Sequence, residues 1–359
     1  MEKHNRNSIG FGQYRRFFGQ LLMGILAFIY LFPQSSVAQT GKDSAVVVNY
    51  GIYLKKLVPN FKDGRFYAEF YWWAIFENDS SVTGFNNDQV MNFEYINGYK
   101  NEVGIIRKEI EEVKKLGDNR FYYTGLHQGE FYFNPEFRMY PFDHQSLTIG
   151  IENSLIPATQ LRFAPDSVSY LKTSKNRNYW GLSDELIHTK NSSYNILKTE
   201  IFTSSNLYNT NFGDETLPAE TYFGRISTSV VLSRSIAPYI SKILIPLVII
   251  LLLVYMVFFM PAKKIDIAAG LTVTSLLSAI AFQLSISGEL PEIGYIIYVD
   301  KIFYTCYFLI AASMALSLYT YYLDASGVKE KRKLADRIDI ISRIVFPLIF
   351  FFSLIWFAV

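Results

Sequence analysis

The sequence predicts an α+β membrane protein: an N-terminal extracellular antiparallel β-sandwich followed by a four-helix transmembrane bundle. Three observations carry this. Half of the 359 residues are hydrophobic and only 18% are charged, a balance that places part of the chain in lipid. The apolar residues divide sharply at Arg234, coming before it in short, aromatic-rich runs and after it in four stretches suited to crossing a bilayer. Ahead of both lies an N-terminus that is first basic and then uncharged, the pattern of an export signal.

Lys3, Arg6, Arg15 and Arg16 precede the uncharged run 17–32, and Ser36-Val37-Ala38 supplies the small residues that a signal peptidase reads. Residues 1–38 are therefore expected to be a signal peptide cut after Ala38; a short uncleaved anchor is the alternative. Residues 39–235 form the sandwich, with strands expected at 45–57, 65–76, 120–126, 129–133, 147–151, 194–204 and 222–232. Turn residues at 60–64 and 78–81 break the pattern between them. One helix is expected in this region, at 105–116, where Ile105, Ile106, Ile110, Val113 and Leu116 recur on one side of a charged segment.

Residues 236–359 form the membrane domain, with spans at about 238–260, 266–287, 297–323 and 338–358, built on the uncharged runs 243–260, 267–288, 302–323 and 344–359. Lys263 and Lys264 lie between spans one and two; Lys329, Lys331, Arg332, Lys333 and Arg337 lie between three and four. The segment 288–297 has no Lys or Arg. The positive-inside rule makes the two basic loops cytoplasmic, which puts the sandwich and the C-terminus outside, in agreement with the signal peptide. Pro246 and Pro347 fall within spans one and four, where neighbouring groups must satisfy the carbonyls they free. Tyr239, Tyr255, Tyr319, Tyr321, Tyr322 and Trp356 suit the interfaces.

Composition excludes much. A formal charge of +2 and the lack of a basic stripe argue against a nucleic-acid partner. The single cysteine, Cys306, rules out an intrachain disulfide. His4, His127, His144 and His188 are scattered without metal-ligand spacing, and there is no nucleophile elbow or phosphate loop. No metal, cofactor or enzymatic activity is expected.

The second span, 266–285, reads DIAAGLTVTSLLSAIAFQLS. It is poor in bulk and rich in hydroxyls, with Gly270, Thr272, Thr274, Ser275 and Ser278 where a lipid-facing helix carries Leu, Ile or Phe. Helical spacing puts Asp266, Gly270, Thr274, Leu277, Ala281 and Leu284 on one stripe. Two explanations fit such a segment: close helix packing through small residues, or a face turned to water.

The stretch EFRMYPFDHQSLTIGIEN at 136–153 resembles the signature loop of the pentameric ligand-gated ion channels, the Cys-loop receptor superfamily, through Tyr140-Pro141-Phe142-Asp143 and Gln145. The flanking cysteines of animal members are absent, as in the prokaryotic type. Three further segments are similar to that family in the right order. VVLSRSIAPYISKILIP (230–246) resembles its last strand, pre-membrane arginine and first span. AFQLSISGELPEIGY (281–295) is similar to the outer half of the second span with its linker, and ISRIVFPLIFF (341–351) to the fourth span. The chain departs from minimal bacterial members in a longer region between Trp180 and Arg234, and the loop 324–337 is too short for a cytoplasmic domain.

The resemblance implies a homopentamer whose partners are four identical subunits, the inner-membrane bilayer, permeating cations and a small-molecule or ionic agonist. The stripe Asp266, Gly270, Thr274, Leu277, Ala281 and Leu284 would line the pore, with Leu277 able to dewet and close it. Asp266 would form a cation-selecting ring, its alternative role being the N-cap of a helix that starts near Ile267. Asp63, Tyr140, Pro141, Phe142, Asp143, Arg234 and Pro291 would couple the sandwich to the pore, with Asp143 and Asp63 beside Arg234. Tyr208 and Phe212, just before GDETLPAE, would contribute to the agonist site, where aromatic faces attract an organic ammonium. A non-conducting membrane-anchored sensor or scaffold is the competing expectation.

Overall fold

The computed structural model describes residues 45–99, 107–169, 180–187, 193–213, 215 and 217–358. The expected signal peptide, together with His4 and His188, lies outside the described residues. Among those described, ten strands form two sheets: β1 (Val46–Asn60), β2 (Arg65–Glu77), β3 (Phe93–Tyr95), β4 (Gly98–Tyr99), β5 (Arg107–Lys115), β6 (Arg120–Tyr132), β7 (His144–Asn153), β8 (Leu161–Pro165), β9 (Tyr194–Tyr208) and β10 (Thr221–Arg234). One sheet runs β4-β6-β2-β1-β8, with β5 also on β6; the other runs β3-β7-β10-β9. Every pairing of these strands is antiparallel except β1 with the short β8, which is parallel.

The alternation of β2 shows why these segments are strands. Phe66, Ala68, Phe70, Trp72, Ala74 and Phe76 are all buried, and the residues between them point the other way. They share one core with Tyr50 and Ile52 of β1, Leu147 and Ile149 of β7, and Ile226 and Val230 of β10. Each large apolar side chain buried in that core contributes about 1.5–3 kcal/mol. The two strands expected at 120–126 and 129–133 are one, β6: His127 is buried among Phe70, Tyr95 and Phe131, and Gly129 stays in register with Ala68.

The helix expected at 105–116 is instead strand β5, with Ile105 and Ile106 outside the described residues. The reason is a bulge. Ile110 pairs with Gly125 and Glu112 with Thr124, so β5 advances two residues against one of β6. That extra residue brings Ile110 and Val113, three apart in sequence, opposite Gly125 and Tyr123, two apart and on one face. A spacing of three within a bulged strand thus imitates a helical period, and the open edge of β6 supplies the backbone partners that decide the outcome.

Four helices long and apolar enough to cross a membrane follow, the architecture of a multi-pass membrane protein: α1 (Ile236–Phe259), α2 (Ile265–Ser287), α3 (Tyr298–Ala325) and α4 (Lys329–Trp356). The fourth begins at Lys329 rather than the expected 338, because the basic segment continues the helix after a turn at Gly327, whose φ of 73° suits glycine. Within α1 a π-helical turn, Ile240–Leu244, comes just before Pro246, where the missing N–H disturbs the regular ladder.

Pro347 in α4 has no N–H to offer the carbonyl of Arg343, four residues back. The Tyr255 hydroxyl from α1 donates to that carbonyl at 3.0 Å. The Arg343 guanidinium reciprocates, with Nε and Nη2 donating to the Phe258 carbonyl at 3.0 and 2.9 Å while it lies over the Phe259 ring. A proline defect in one helix is thereby satisfied by another, which pins α4 to the end of α1. Tyr255→Phe is expected to destabilise the protein in detergent by about 1 kcal/mol. In a Pro347→Ala background, where α4 satisfies its own carbonyl, the same substitution should cost markedly less, as read by thermal melting of the four species.

Candidate functional site

The end of β10 places Arg234 where the sandwich meets the helices. Its Nε donates to Asp143 Oδ1 at 2.7 Å, and the two side chains are 5% and 2% exposed. Removing such a pair from water is costly unless further hydrogen bonds support it. Here they do: Gln145 Nε2 donates to Asp143 Oδ2, and Arg234 Nη1 to the Tyr239 hydroxyl at 3.1 Å. Gln145 also ties back to Glu136, donating to its carbonyl and accepting from its N–H.

Among the described residues, five aromatic rings stand around the guanidinium. Their centroids lie 4.7 Å (Phe61), 5.0 Å (Tyr140), 5.6 Å (Tyr194), 5.7 Å (Tyr239) and 5.8 Å (Phe137) away. They come from the β1–β2 turn, the β6–β7 loop, β9 and α1, so one cation gathers four parts of the fold through its attraction to ring faces. Burial pulls the guanidinium pKa down, but the hydrogen bond and charge of Asp143, and then Tyr239, outweigh it and leave it above the usual value. Burial pushes the Tyr140 and Tyr194 phenols up, against the opposing pull of Arg234.

Of the residues expected at this junction, Asp143, Arg234 and Tyr140 come together. Asp63 does not join Arg234. It pairs with Arg65 at 3.1 Å and accepts from Asn60 at 2.9 Å, because the tight β1–β2 turn keeps its carboxylate on the hairpin and sends Phe61 inward instead. Phe142 sets its ring edge-on to Tyr298 of α3, 5.6 Å between centroids. Pro291 sits in the α2–α3 linker, whose contact with the β6–β7 loop runs through Tyr295. That hydroxyl accepts from the Phe137 N–H at 2.9 Å, and its ring lies under Arg138. The Tyr298 N–H donates to the Arg138 carbonyl at 2.8 Å, and Lys62 Nζ reaches the Gly288 carbonyl past the end of α2 at 3.5 Å. Phe61, Phe137, Tyr194, Tyr239 and Tyr295 were not anticipated here: among 30 Phe and 26 Tyr, nothing in the sequence marks the few that gather at this junction.

On α2 the expected stripe is unpartnered along its whole length. Asp266, Gly270, Thr274, Leu277, Ala281 and Leu284 are exposed, Leu277 at 63% and Leu284 at 68%, while Ala268, Thr272, Ser275, Ala279 and Ile286 are buried on the other side. A Cβ added at Gly270 would meet nothing within 4 Å, so packing inside the chain does not require glycine there. Asp266 is not the N-cap. The helix begins at Ile265 with Lys264 at the cap position and no side-chain cap bond, because the turn Ala262–Lys264 runs straight into it. Asp266 therefore lies in the first turn, where the helix dipole favours a carboxylate.

At the far end of β9 and β10, Tyr208 and Phe212 meet Phe223, with centroids 5.3, 5.7 and 6.3 Å apart in an edge-to-face trio on the hairpin. Phe212 has a positive φ of 54° and is mostly exposed, whereas Phe223 is buried. Burial and the neighbouring Glu152 hold the Tyr208 phenol above its usual pKa; Glu152 itself is buried and paired with Arg225 at 3.0 Å. His144 is exposed at the start of β7. No family model matches the chain. No curated protein matches it either.

Asp143→Ala strands a caged cation, and the expected cost is about 3–5 kcal/mol. Asp143→Asn keeps an acceptor for Arg234 and should cost less. Thermal melting of both variants checks the ordering, and equal melting temperatures for wild type and Asp143→Ala would show the cage alone holds the arginine.

Proposed function

We propose that the protein is a subunit of a homopentameric, cation-selective channel of the pentameric ligand-gated type, opened by a ligand at its sandwich domain. The observation that carries this is the exposed face of α2. In a bilayer, a helix face of carboxylate, glycine and hydroxyl belongs against protein or water. The subunit's own helices cover the opposite face, and Gly270 faces open space. Five copies around an axis satisfy both facts, turning the small and hydroxyl groups to a water column that narrows at Leu277 and Leu284.

The caged Arg234–Asp143 pair supports the ligand-gated part of the reading. It joins the sandwich to α1, and the same β6–β7 loop touches α3 and the α2–α3 linker. Movement at the hairpin carrying Tyr208 and Phe212 would reach the junction along β9 and β10, which pair from Tyr208 down to Arg234. The distribution of Lys and Arg puts the sandwich on the extracellular or periplasmic face by the positive-inside rule, where a ligand can reach it.

Cation selectivity follows from Asp266. Each carboxylate of a five-membered ring contributes about 1 kcal/mol to a cation about 4 Å away at water-like dielectric. Lys263 and Lys264 are exposed at the same end, and their flexible stems would let the ammonium groups snorkel to lipid headgroups rather than offset the ring. The test is purified protein in a planar bilayer under a salt gradient, with an organic ammonium added on the sandwich side to open it. Wild type should pass unitary currents reversing near the cation equilibrium, and Asp266→Asn should move the reversal potential toward zero. Absence of currents favours a non-conducting sensor; a reversal potential at the chloride equilibrium refutes cation selectivity.

The ligand site has its own readout. Tyr208→Ala or Phe212→Ala should raise the concentration of an activating organic ammonium needed for half-maximal current by about tenfold, with single-channel conductance as the internal control. Unchanged sensitivity in both variants places the agonist elsewhere.

A further inference from the structure

The outer half of α2 holds a polar cluster that the pore stripe does not include. Gln283 Nε2 donates to Asp300 Oδ1 of α3 at 2.8 Å, and Gln283 Oε1 accepts from the Tyr307 hydroxyl at 2.6 Å. One side-chain amide is thus held by both its ends. The Tyr307 hydroxyl also lies 3.4 Å from the Ala279 carbonyl, and Asp300 Oδ2 accepts from the Ile297 N–H at 3.3 Å. From the start of α2 to Ala279 the buried face is Ala268, Thr272, Ser275 and Ala279, small groups over which a neighbouring helix can slip or turn, while bulky contacts such as Ile286 and Phe282 on Phe303 lie toward the Gln283 end. Thr272 bonds mainly to its own backbone and reaches α3 only through the Met314 sulfur at 3.3 Å, a weak acceptor. Among the described residues, the strong directional side-chain bonds between α2 and α3 are therefore those of Gln283.

Position matters as much as strength. Gln283 is two residues from Ala281 and so about 200° around the helix from it. Any rotation of α2 that carries Ala281, Leu277 and Leu284 off the axis must drag the amide away from Asp300 and Tyr307. Gln283 and Asp300 are half-buried between the helices, and a rotation that breaks both directional bonds has two defined end states, clamped and released. The clamp is also one step from the sandwich, since the Tyr298 N–H is bonded to the Arg138 carbonyl and the adjacent Ile297 N–H to Asp300.

The geometry points to Gln283, Asp300 and Tyr307 as positioning residues that set the rotational state of α2, and hence which of its side chains face the water column. This rests on the pore reading of α2. Displacement of the β6–β7 loop would act at Tyr298, the first residue of α3, and reach α2 through the Asp300 carboxylate. Tyr307 acts through the amide rather than on the pore, because its hydroxyl fixes the amide's orientation toward Asp300.

The experiment uses the full chain in liposomes, with Ala281→Cys on the exposed face or Ser275→Cys on the buried one. Labelling by a membrane-impermeant methanethiosulfonate is followed by mass, and the unsubstituted chain supplies the background from buried Cys306. In the otherwise native chain, the thiol introduced at position 281 should label and the one at position 275 should not. Gln283→Leu is expected to lower the ratio of the two rates by about tenfold, and Tyr307→Phe, which removes one hydroxyl and leaves the ring packed, by about threefold. The double variant should go no further than Gln283→Leu alone. An unchanged ratio in both single variants, with the Ala281→Cys thiol reactive throughout, overturns the clamp and leaves the pore reading standing. Failure of the Ala281→Cys thiol to label in the otherwise native chain overturns both.

Discussion

The arrangement of this protein depends on how a buried cation is held at the seam between a β-sandwich and a set of apolar helices. Arg234 ends β10 and stands immediately before α1, so a chain leaving water for lipid carries a full charge to the boundary. Asp143 neutralises it, Gln145 and Tyr239 add hydrogen bonds on either side, and five rings present their faces. The partners come from separate segments, which makes the pair a point of registration. The β1–β2 turn, the β6–β7 loop, β9 and α1 can all be placed correctly only when the guanidinium sits among them.

The same need to satisfy polar groups governs the helices. Where Pro347 removes a donor, Tyr255 supplies one, and where α1 ends with an open carbonyl, Arg343 reaches it. Where α2 carries an amide into the apolar region, Asp300 and Tyr307 close on it. These are directional contacts in a setting where apolar packing alone does not choose a rotation or a register, since lipid is as apolar as leucine. The apolar cavity of about 220 Å³ beneath Pro141 and Phe142, walled by Tyr239, Ile243, Tyr298 and Ile302, lies between two of these fixed points.

The unpartnered face of α2 separates what this chain satisfies by itself from what it leaves to its surroundings. Inside the chain, small residues on the rear of α2 are buried, so the explanation of small residues as helix contacts holds for Ala268, Ser275 and Ala279. Within the chain it does not extend to Gly270, which has open space before it, and the separate alternative of an N-cap does not hold for Asp266, whose side chain caps nothing. Both facts concern the stripe that the family resemblance and helical spacing together had singled out.

Much of this was legible in the sequence. The four apolar stretches, the alternation of β2 and the stripe on α2 are one-dimensional patterns, because hydrophobic periodicity is imposed locally by the helix and strand repeats. Arg234 and Asp143 could be named from the motifs they belong to. The tertiary structure alone decided the rest. Whether 107–115 is helix or strand depended on the free edge of β6, and a bulge disguised its period. Asp63 turned to Arg65 rather than Arg234 because of the shape of a hairpin. The aromatic cage and the Gln283 clamp bring together residues far apart in the chain, Phe61 with Arg234 and Gln283 with Tyr307. No local repeat encodes such a meeting, since it is the packing of whole elements that brings those side chains within reach of one another.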